Sequence, residues 1–232
     1  MSQHTAKHEE LAAVLPLEPG DRLTRPEFER RYDATPGLKK AELVEGVVYV
    51  PSPVRLNRHA RPHAKMGIWL AVYELGTPGV EICDNATVRM DRDNEPQPDL
   101  ILRIADDARG QSRTDEDDYL KGAPELIVEV ASSSASYDLG VKKNAYRRNG
   151  VREYVVWRVF DRTIDWFVLR DDAYVHLEPG RDGVVRSLVF PGLWLDPAAM
   201  LEDRMSDMEA VVRMGLASPE HLAFMARLAP TV

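Results

Sequence analysis

The chain has 232 residues, of which 44% are hydrophobic and 29% are charged, and this composition excludes a disordered or fibrous protein. Its formal net charge of -8 argues against a large non-specific surface for nucleic acid. The single cysteine, Cys83, excludes an internal disulfide and a zinc ribbon, and favours the reducing cytoplasm. No signal-peptide core and no apolar run of membrane-spanning length occur in the sequence.

Local signals predict the elements of the first third of the chain. The sequence of residues 1–20 predicts a loosely ordered N-terminal lead-in to the domain. A Thr-Arg-Pro-Glu start predicts a helix over residues 24–32. Residues 41–50 predict a hairpin that turns at a Glu-Gly pair, and residues 57–75 predict a longer helix closed by glycine.

The rest of the chain reads mostly as β structure. Short apolar runs predict strands at residues 80–83, 87–90, 98–102, 126–131, 152–159, 163–169, 174–177 and 184–189. A helix is predicted over residues 138–149, a turn region over residues 191–197, and two short helices after Asp203. The order of elements predicts an α/β fold in one domain with a short helical C-terminal tail.

Two of the predicted strands carry a carboxylate where an apolar residue would be easier to bury. Asp99 follows a proline at a strand entrance, and Glu129 lies in a run that is apolar on both faces. A buried charge is costly unless it meets a partner or a metal. Two converging acids with an ammonium group nearby can form a binding site for a hard divalent cation. The alternatives are a structural ion pair for Glu129 and a turn-type Asp99 that bonds its own backbone.

Lys142 and Lys143 are the candidate ammonium groups. On an ideal helix, each lies about half a right angle from the apolar stripe of Leu139 and Tyr146, on opposite sides. Spacing therefore does not choose between them, although Ala145 tilts the apolar face slightly toward Lys142. The alternative is that both lysines are solvated.

Basic residues are concentrated in two stretches of this acidic chain. The first stretch contains no acid and comprises Arg55, Arg58, Arg61 and Lys65. The second comprises Lys142, Lys143, Arg147, Arg148 and Arg152. A local basic cleft on an acidic body is compatible with this distribution.

An ordered series of motifs between about residues 20 and 195 resembles the Uma-two family of restriction endonucleases, in the PD-(D/E)XK nuclease superfamily. The motifs are Ala41-Glu42-Leu43-Val44-Glu45-Gly46, a Pro-Ser-Pro followed by His59, Pro98-Asp99, Pro124-Glu125-Leu126-Ile127-Val128-Glu129-Val130, Asp138-Leu139-Gly140-Val141-Lys142-Lys143-Asn144-Ala145-Tyr146 and Gly150-Val151-Arg152-Glu153-Tyr154. The chain departs from the family pattern at Ser133, where proline is frequent, and at Val156-Trp157-Arg158, where an Asp often follows the strand. The tail after about Asp196 lies outside the resemblance.

The resemblance implies a restriction-endonuclease-like mixed β-sheet flanked by helices, over residues 21–195, with a helical extension over residues 196–232. It implies that Asp99, Glu129 and Glu42 hold Mg²⁺ or Mn²⁺ and that Lys142 completes the catalytic set. The implied activity is the hydrolysis of phosphodiester bonds in DNA. His59 matches a recurring histidine to which no role is assigned.

Several alternatives stay open at this point. His59 and His63 have the spacing of two zinc ligands, but the Glu of a zinc protease is missing and ordinary histidines are favoured. The fold could bind nucleic acid or protein without cutting. The apolar residues of the tail, Met205 to Leu228, could form a homodimer contact or pack on their own domain.

Overall fold

The computed structural model describes residues 14–51 and 53–229. The strands are β1 Glu42–Val44, β2 Val47–Tyr49, β3 Val80–Asp84, β4 Val88–Arg89, β5 Leu100–Ile104, β6 Arg113–Thr114, β7 Leu120–Lys121, β8 Leu126–Ala131, β9 Glu153–Arg158, β10 Thr163–Arg170, β11 Ala173–His176, β12 Val185–Arg186 and β13 Trp194–Leu195. The helices are α1 Arg25–Asp33, α2 Arg61–Leu75, α3 Ala135–Tyr137, α4 Lys143–Arg148, α5 Pro197–Leu201, α6 Met205–Leu216 and α7 Pro219–Leu228. Two π-helical turns, Leu56–Ala60 and Asp138–Lys142, lead directly into α2 and α4.

A mixed six-stranded sheet forms the centre of the fold, with strand order β11-β10-β9-β8-β5-β3. Only the β8–β9 pair of this sheet is parallel among the described strands, and the α3–α4 segment makes the crossover between them. Every residue of β8 is buried, as expected for a central strand with apolar residues on both faces. The predicted α/β class with a mixed sheet and flanking helices is confirmed.

The two faces of the sheet pack against different helices. The even-numbered residues Leu126, Val128 and Val130 of β8 join the larger core, which includes α2 and the tail helices. The odd-numbered residue Ile127 joins a second core on the opposite face, together with Tyr146 of α4. Glu129 shares the alternation of Ile127, so it points toward α4.

A small third core anchors the β1–β2 hairpin to the sheet. Leu17 and Phe28 pack there with Leu43 and Val48 of the hairpin. Leu43 also exchanges two backbone hydrogen bonds with Glu95, in the loop before β5. This bridge brings the start of β1 next to the entrance of the central strands. Residues 1–13 of the predicted lead-in lie outside the described residues.

Two sequence predictions in the last third of the chain are wrong. The strand predicted over residues 184–189 is limited to β12, because the N–H groups of Leu188 and Val189 donate to the buried Glu153 carboxylate instead of to a neighbouring strand. The turn region predicted over residues 191–197 contains β13 and leads into α5, whose start is capped by the Asp196 carboxylate.

The two predicted tail helices are present as α6 and α7. Met208 and Val212 of α6, and Phe224 and Leu228 of α7, lie in the larger core beside α2. The tail therefore packs on the domain that carries the sheet. Within the described residues, no helix combines the length and the apolarity needed to cross a membrane.

Candidate active site

Asp99 and Glu129 lie at the adjoining ends of two antiparallel strands. In the β5–β8 pair, Leu100 is opposite Val128, so the same register continued by one residue sets Asp99 opposite Glu129. Residues opposed in this way project from the same face, with Cβ atoms about 5 Å apart. The backbone N–H of Val130 donates to Asp99 Oδ2 at 2.7 Å, which fixes the Asp99 carboxylate against the end of β8.

Lys142 joins Glu129 to Glu42. Its Nζ lies 2.9 Å from Glu129 Oε1 and 3.1 Å from Glu42 Oε1, and all three side chains are buried. The N–H of Gln97 also donates to Glu42 Oε1, at 2.8 Å. The hairpin, the central strand and the α3–α4 segment thus each deliver one charged group to a single cluster.

The structure distinguishes the two neighbouring lysines. Lys142 ends the π-helical turn and points into the cluster, whereas the Nζ of Lys143 lies 3.3 Å from the centre of the Phe167 ring. A π turn contains an extra residue, so the directions of its side chains differ from those that α-helical spacing predicts. The π turn therefore separates Lys142 from Lys143, which ideal helical spacing had left on equivalent sides of the apolar stripe.

His59 contacts Asp99 from the other side of the site. Its Nε2 lies 3.3 Å from Asp99 Oδ1 and its Nδ1 lies 3.1 Å from the carbonyl oxygen of Val130. Both ring nitrogens therefore face acceptors, which suits an imidazolium. The hydrogen bond with Asp99 raises the pKa of His59. His63 instead faces the Asp99 carbonyl and the Asp84 carboxylate, so the two histidines do not converge on a common point.

Two tyrosines at the site were missed by the sequence reasoning. Tyr146 donates to Glu129 Oε1 at 2.7 Å. The hydroxyl of Tyr137 is buried and has no hydrogen-bond partner within residues 14–51 and 53–229, and the Nζ of Lys142 lies 5.5 Å from the centre of its ring. Tyr146 was assigned to the apolar stripe, and a buried phenol in such a stripe usually seeks a polar partner. That preference was the one signal in the sequence that pointed to Tyr146 as a residue of the site.

Burial controls the electrostatics of the cluster. Loss of hydration raises the pKa of Glu129 above its usual value, with Lys142 opposing the shift and the nearby acids reinforcing it. Burial also raises the pKa of Asp138, one turn before Lys142, to about 6. Asp99 is different: burial opposes its charged form, but hydrogen bonds from His59 and Val130 hold its pKa below the usual value. Lys142 keeps its proton, because Glu129 and Glu42 outweigh the cost of burial and raise its pKa.

The donor set can be tested against a divalent metal. Carboxylate oxygens are the ligands that Mg²⁺ prefers, and Mg²⁺ is usually held by one or two carboxylates and several waters. Asp99 and Glu129 provide two such groups on one face. Within the described residues, no set of three or more His, Cys, Asp or Glu side chains is grouped to hold an ion directly. The residues therefore fit a two-carboxylate site, with Glu42 engaged by Lys142 and the Gln97 N–H in this conformation.

Comparisons with known proteins place the site in a family context. The model of the family described as "Uma2: Putative restriction endonuclease" matches residues 25–198, three quarters of the chain, and confirms the assignment made from the motifs. The solved structure of a putative nuclease belonging to DUF820, from Anabaena variabilis, is 11% identical, with a TM-score of 0.48 over 74% of this chain and 90% of that chain. No curated protein matches the chain.

Proposed function

This chain belongs to the Uma2 restriction endonuclease family, and we propose that it is a cytoplasmic endodeoxyribonuclease that requires Mg²⁺ or Mn²⁺ and hydrolyses phosphodiester bonds in DNA. The proposed active site consists of Asp99, Glu129, Glu42 and Lys142. The observation that supports it best is the opposition of Asp99 and Glu129 on neighbouring strands, with the Lys142 ammonium 2.9 Å from Glu129.

In this proposal, Asp99 and Glu129 hold the metal ion, and Glu42 keeps Lys142 within reach of both. A bound ion would supply positive charge to offset the charge developing on the phosphate and would lower the pKa of a water. Lys142 is a buried point charge, and its hydrogen bonds to Glu42 and Glu129 hold it in place before substrate arrives. A preorganised charge of this kind can stabilise the pentavalent transition state without further reorganisation.

Two further residues complete the proposed site. His59 is a positioning residue, because it contacts Asp99 Oδ1 while the Val130 carbonyl holds its other ring nitrogen. The Tyr137 hydroxyl is a donor without a hydrogen-bond partner among the residues that the structure describes. Burial raises its pKa, so the hydroxyl keeps its proton and can donate to a phosphate oxygen.

The test is cleavage of supercoiled and linear DNA by the purified full chain with Mg²⁺ or Mn²⁺. Asp99→Ala should abolish cleavage, whereas Asp107→Ala, which removes an exposed carboxylate, should leave it unchanged. Equal activity of the Asp99→Ala variant and the unmodified chain would refute the assignment of the site.

One observation favours the alternative, a nuclease fold that binds without cutting. The ammonium of Lys142 bridges Glu42 and Glu129 and neutralises part of their charge. If this arrangement is permanent, the unmodified chain should bind DNA and show no Mn²⁺-dependent cleavage at any pH. Calorimetric titration with Mn²⁺ distinguishes the two functions. The nuclease needs a metal site, so the unmodified chain should bind Mn²⁺ and the Asp99→Ala variant should not. A fold that only binds DNA has no such requirement.

A homodimer stays a prediction. Four apolar tail residues are used within the domain, as described above, while Met214 and Leu222 are exposed. Sedimentation of the full chain over a range of concentrations, compared with a Met214→Lys and Leu222→Lys variant, tests whether these residues hold two copies together.

A further inference from the structure

The first basic stretch of the sequence borders a cavity on the tail side of the sheet. The cavity has a volume of about 650 Å³, and we call it the tail cavity. Its polar lining comprises Asn57, Arg61, Lys65, Arg162, Glu202 and Asp203. Trp157 of β9 forms part of its wall, and the Lys65 ammonium lies 5.9 Å from the centre of the Trp157 ring.

Two cations converge on one carboxylate at the tail cavity. Lys65 Nζ lies 2.7 Å from Asp203 Oδ1, and Arg61 lies 3.3 Å from Asp203 Oδ2. Arg61 and Lys65 are four residues apart on α2, so they project from the same side of the helix. Guanidinium and ammonium groups arranged around one carboxylate can equally hold a phosphate, because both anions offer charged oxygen acceptors.

The tail cavity adjoins the acid–lysine cluster. The π turn before α2 carries Asn57 to the cavity and His59 to Asp99. On the sheet, Trp157 is the register partner of Val130, the residue that follows Glu129. The two sites therefore lie at the same end of β8 and β9, on opposite faces of the sheet.

Three members of the second basic stretch contact other groups of the protein. Lys142 bridges two acids, Arg147 donates to the Asp172 carbonyl, and Arg148 faces Glu45 and Asp91. In contrast, Arg162 in the wall of the tail cavity and Arg58, the residue after Asn57, form no ion pair with any described residue, and Arg58 lies over the Phe160 ring. Arg152 of the second stretch is also exposed and forms no ion pair with any described residue, so what distinguishes the tail cavity is the convergence of Arg61 and Lys65 on one carboxylate.

We propose that the tail cavity binds a phosphate of the DNA backbone outside the acid–lysine cluster, with Arg61 and Lys65 as its ligands. Asp203 is the counter-ion that the phosphate replaces. The choice of DNA rests on the proposed function. Asp203 lies beyond residue 198, where the family match ends, so this counter-ion is a feature of the tail.

The test is DNA affinity without cleavage. A fluorescein-labelled duplex is titrated with the full chain in EDTA at several salt concentrations, and anisotropy is recorded. Arg61→Gln with Lys65→Gln should weaken binding by on the order of tenfold or more and reduce the log-log salt slope by about 1, because the two residues share one phosphate and each lost phosphate contact removes about one. The matched control, Arg181→Gln with Arg213→Gln, removes the same charge from exposed positions and should have a much smaller effect.

The Asp203→Asn variant tests the counter-ion separately. Asp203 has a φ of 65°, a left-handed conformation that asparagine tolerates, so the backbone should be retained. We expect tighter DNA binding, because a competing carboxylate is removed while Arg61 and Lys65 remain. Unchanged or weaker binding would overturn the role of Asp203, and equal losses in the two double variants would overturn the phosphate site.

These outcomes are distinct from those of the cleavage assay. If neither Mg²⁺ nor Mn²⁺ supports cleavage but Arg61→Gln with Lys65→Gln still weakens DNA binding, the nuclease proposal fails and the phosphate site stands. If the unmodified chain cleaves DNA and the double variant cleaves it with the same KM, the phosphate site fails and the nuclease proposal stands.

Discussion

The Nζ of Lys142 lies 2.9 Å from Glu129 and 3.1 Å from Glu42, so one buried ammonium serves two buried carboxylates. Such a group has a structural role as well as a proposed chemical one. The cost of burying each carboxylate is offset only while the ammonium is present. Catalysis and stability should therefore both respond when Lys142 changes.

Lys142→Met should destabilise the protein by about 3–5 kcal/mol, because two buried carboxylates lose their partner. It should also abolish cleavage. Urea unfolding measures the first effect, and Lys143→Met is the control, with an expected loss of about 1 kcal/mol because only a contact with an aromatic ring is removed. Mn²⁺ should raise the Tm of Lys142→Met more than that of the unmodified chain, since an ion can replace the missing charge. Equal unfolding midpoints for the two lysine variants would contradict the role of Lys142 in the cluster.

Tyr137→Phe should lower cleavage without lowering stability. The hydroxyl that is removed is buried and unpaired within the described part of the chain, so its loss should change the free energy of unfolding by less than about 1 kcal/mol, or increase it. The matched control is Tyr174→Phe, which removes a 2.8 Å hydrogen bond to the Val151 carbonyl and no contact with the charged cluster. That variant should lose about 1 kcal/mol of stability and keep its activity. A Tyr137→Phe variant with normal kcat would remove this residue from the site.

His59→Ala should weaken Mn²⁺ binding by about 10–100-fold, the usual effect of losing a residue that orients a metal ligand. The reason is that Asp99 loses its contact with the imidazole and keeps only the N–H of Val130. Calorimetric titration with Mn²⁺ measures the change directly. His176→Ala, on the exposed strand β11, should bind the ion like the unmodified chain. Identical Mn²⁺ affinity for His59→Ala would mean that His59 has no positioning role.

A second pair of acids predicts a pH dependence of stability. Burial raises the pKa of Glu95 to about 8, and Glu29 beside it reinforces the shift. The folded protein thus holds a proton that the unfolded chain releases above its ordinary pKa near 4.5. The stability contributed by Glu95 is complete below that value, falls as the pH rises, and is lost above about 8.

Glu95→Gln removes this titration. Its stability relative to the unmodified chain should increase progressively between pH 5 and pH 8, by an amount on the order of 2–4 kcal/mol. Urea unfolding at several pH values measures the difference, and Glu116→Gln, an exposed substitution, should show none. A constant difference between Glu95→Gln and the unmodified chain at all pH values would show that Glu95 is already ionised in the folded state.

Much of the framework is determined by the sequence alone. The run from Leu126 to Ala131 is apolar on both faces, and only a central strand can bury such a run. Its period of two fixes Glu129 on the face opposite Val128. The motifs between residues 41 and 154 were sufficient to identify the family. The strand predicted after Val184 failed because the Glu153 carboxylate, distant in sequence, takes the backbone donors that a ladder would need.

The arrangement of the charges was decided by the tertiary structure. Helical spacing left Lys142 and Lys143 equivalent, and the π turn and the fit against Glu129 and Glu42 separated them. His59 had no assigned role until the turn before α2 set it against Asp99. The physical reason is general: patterning reports the direction of a side chain relative to its own element, whereas a buried charge is stabilised by groups from other elements. Only the packing of those elements brings the groups together.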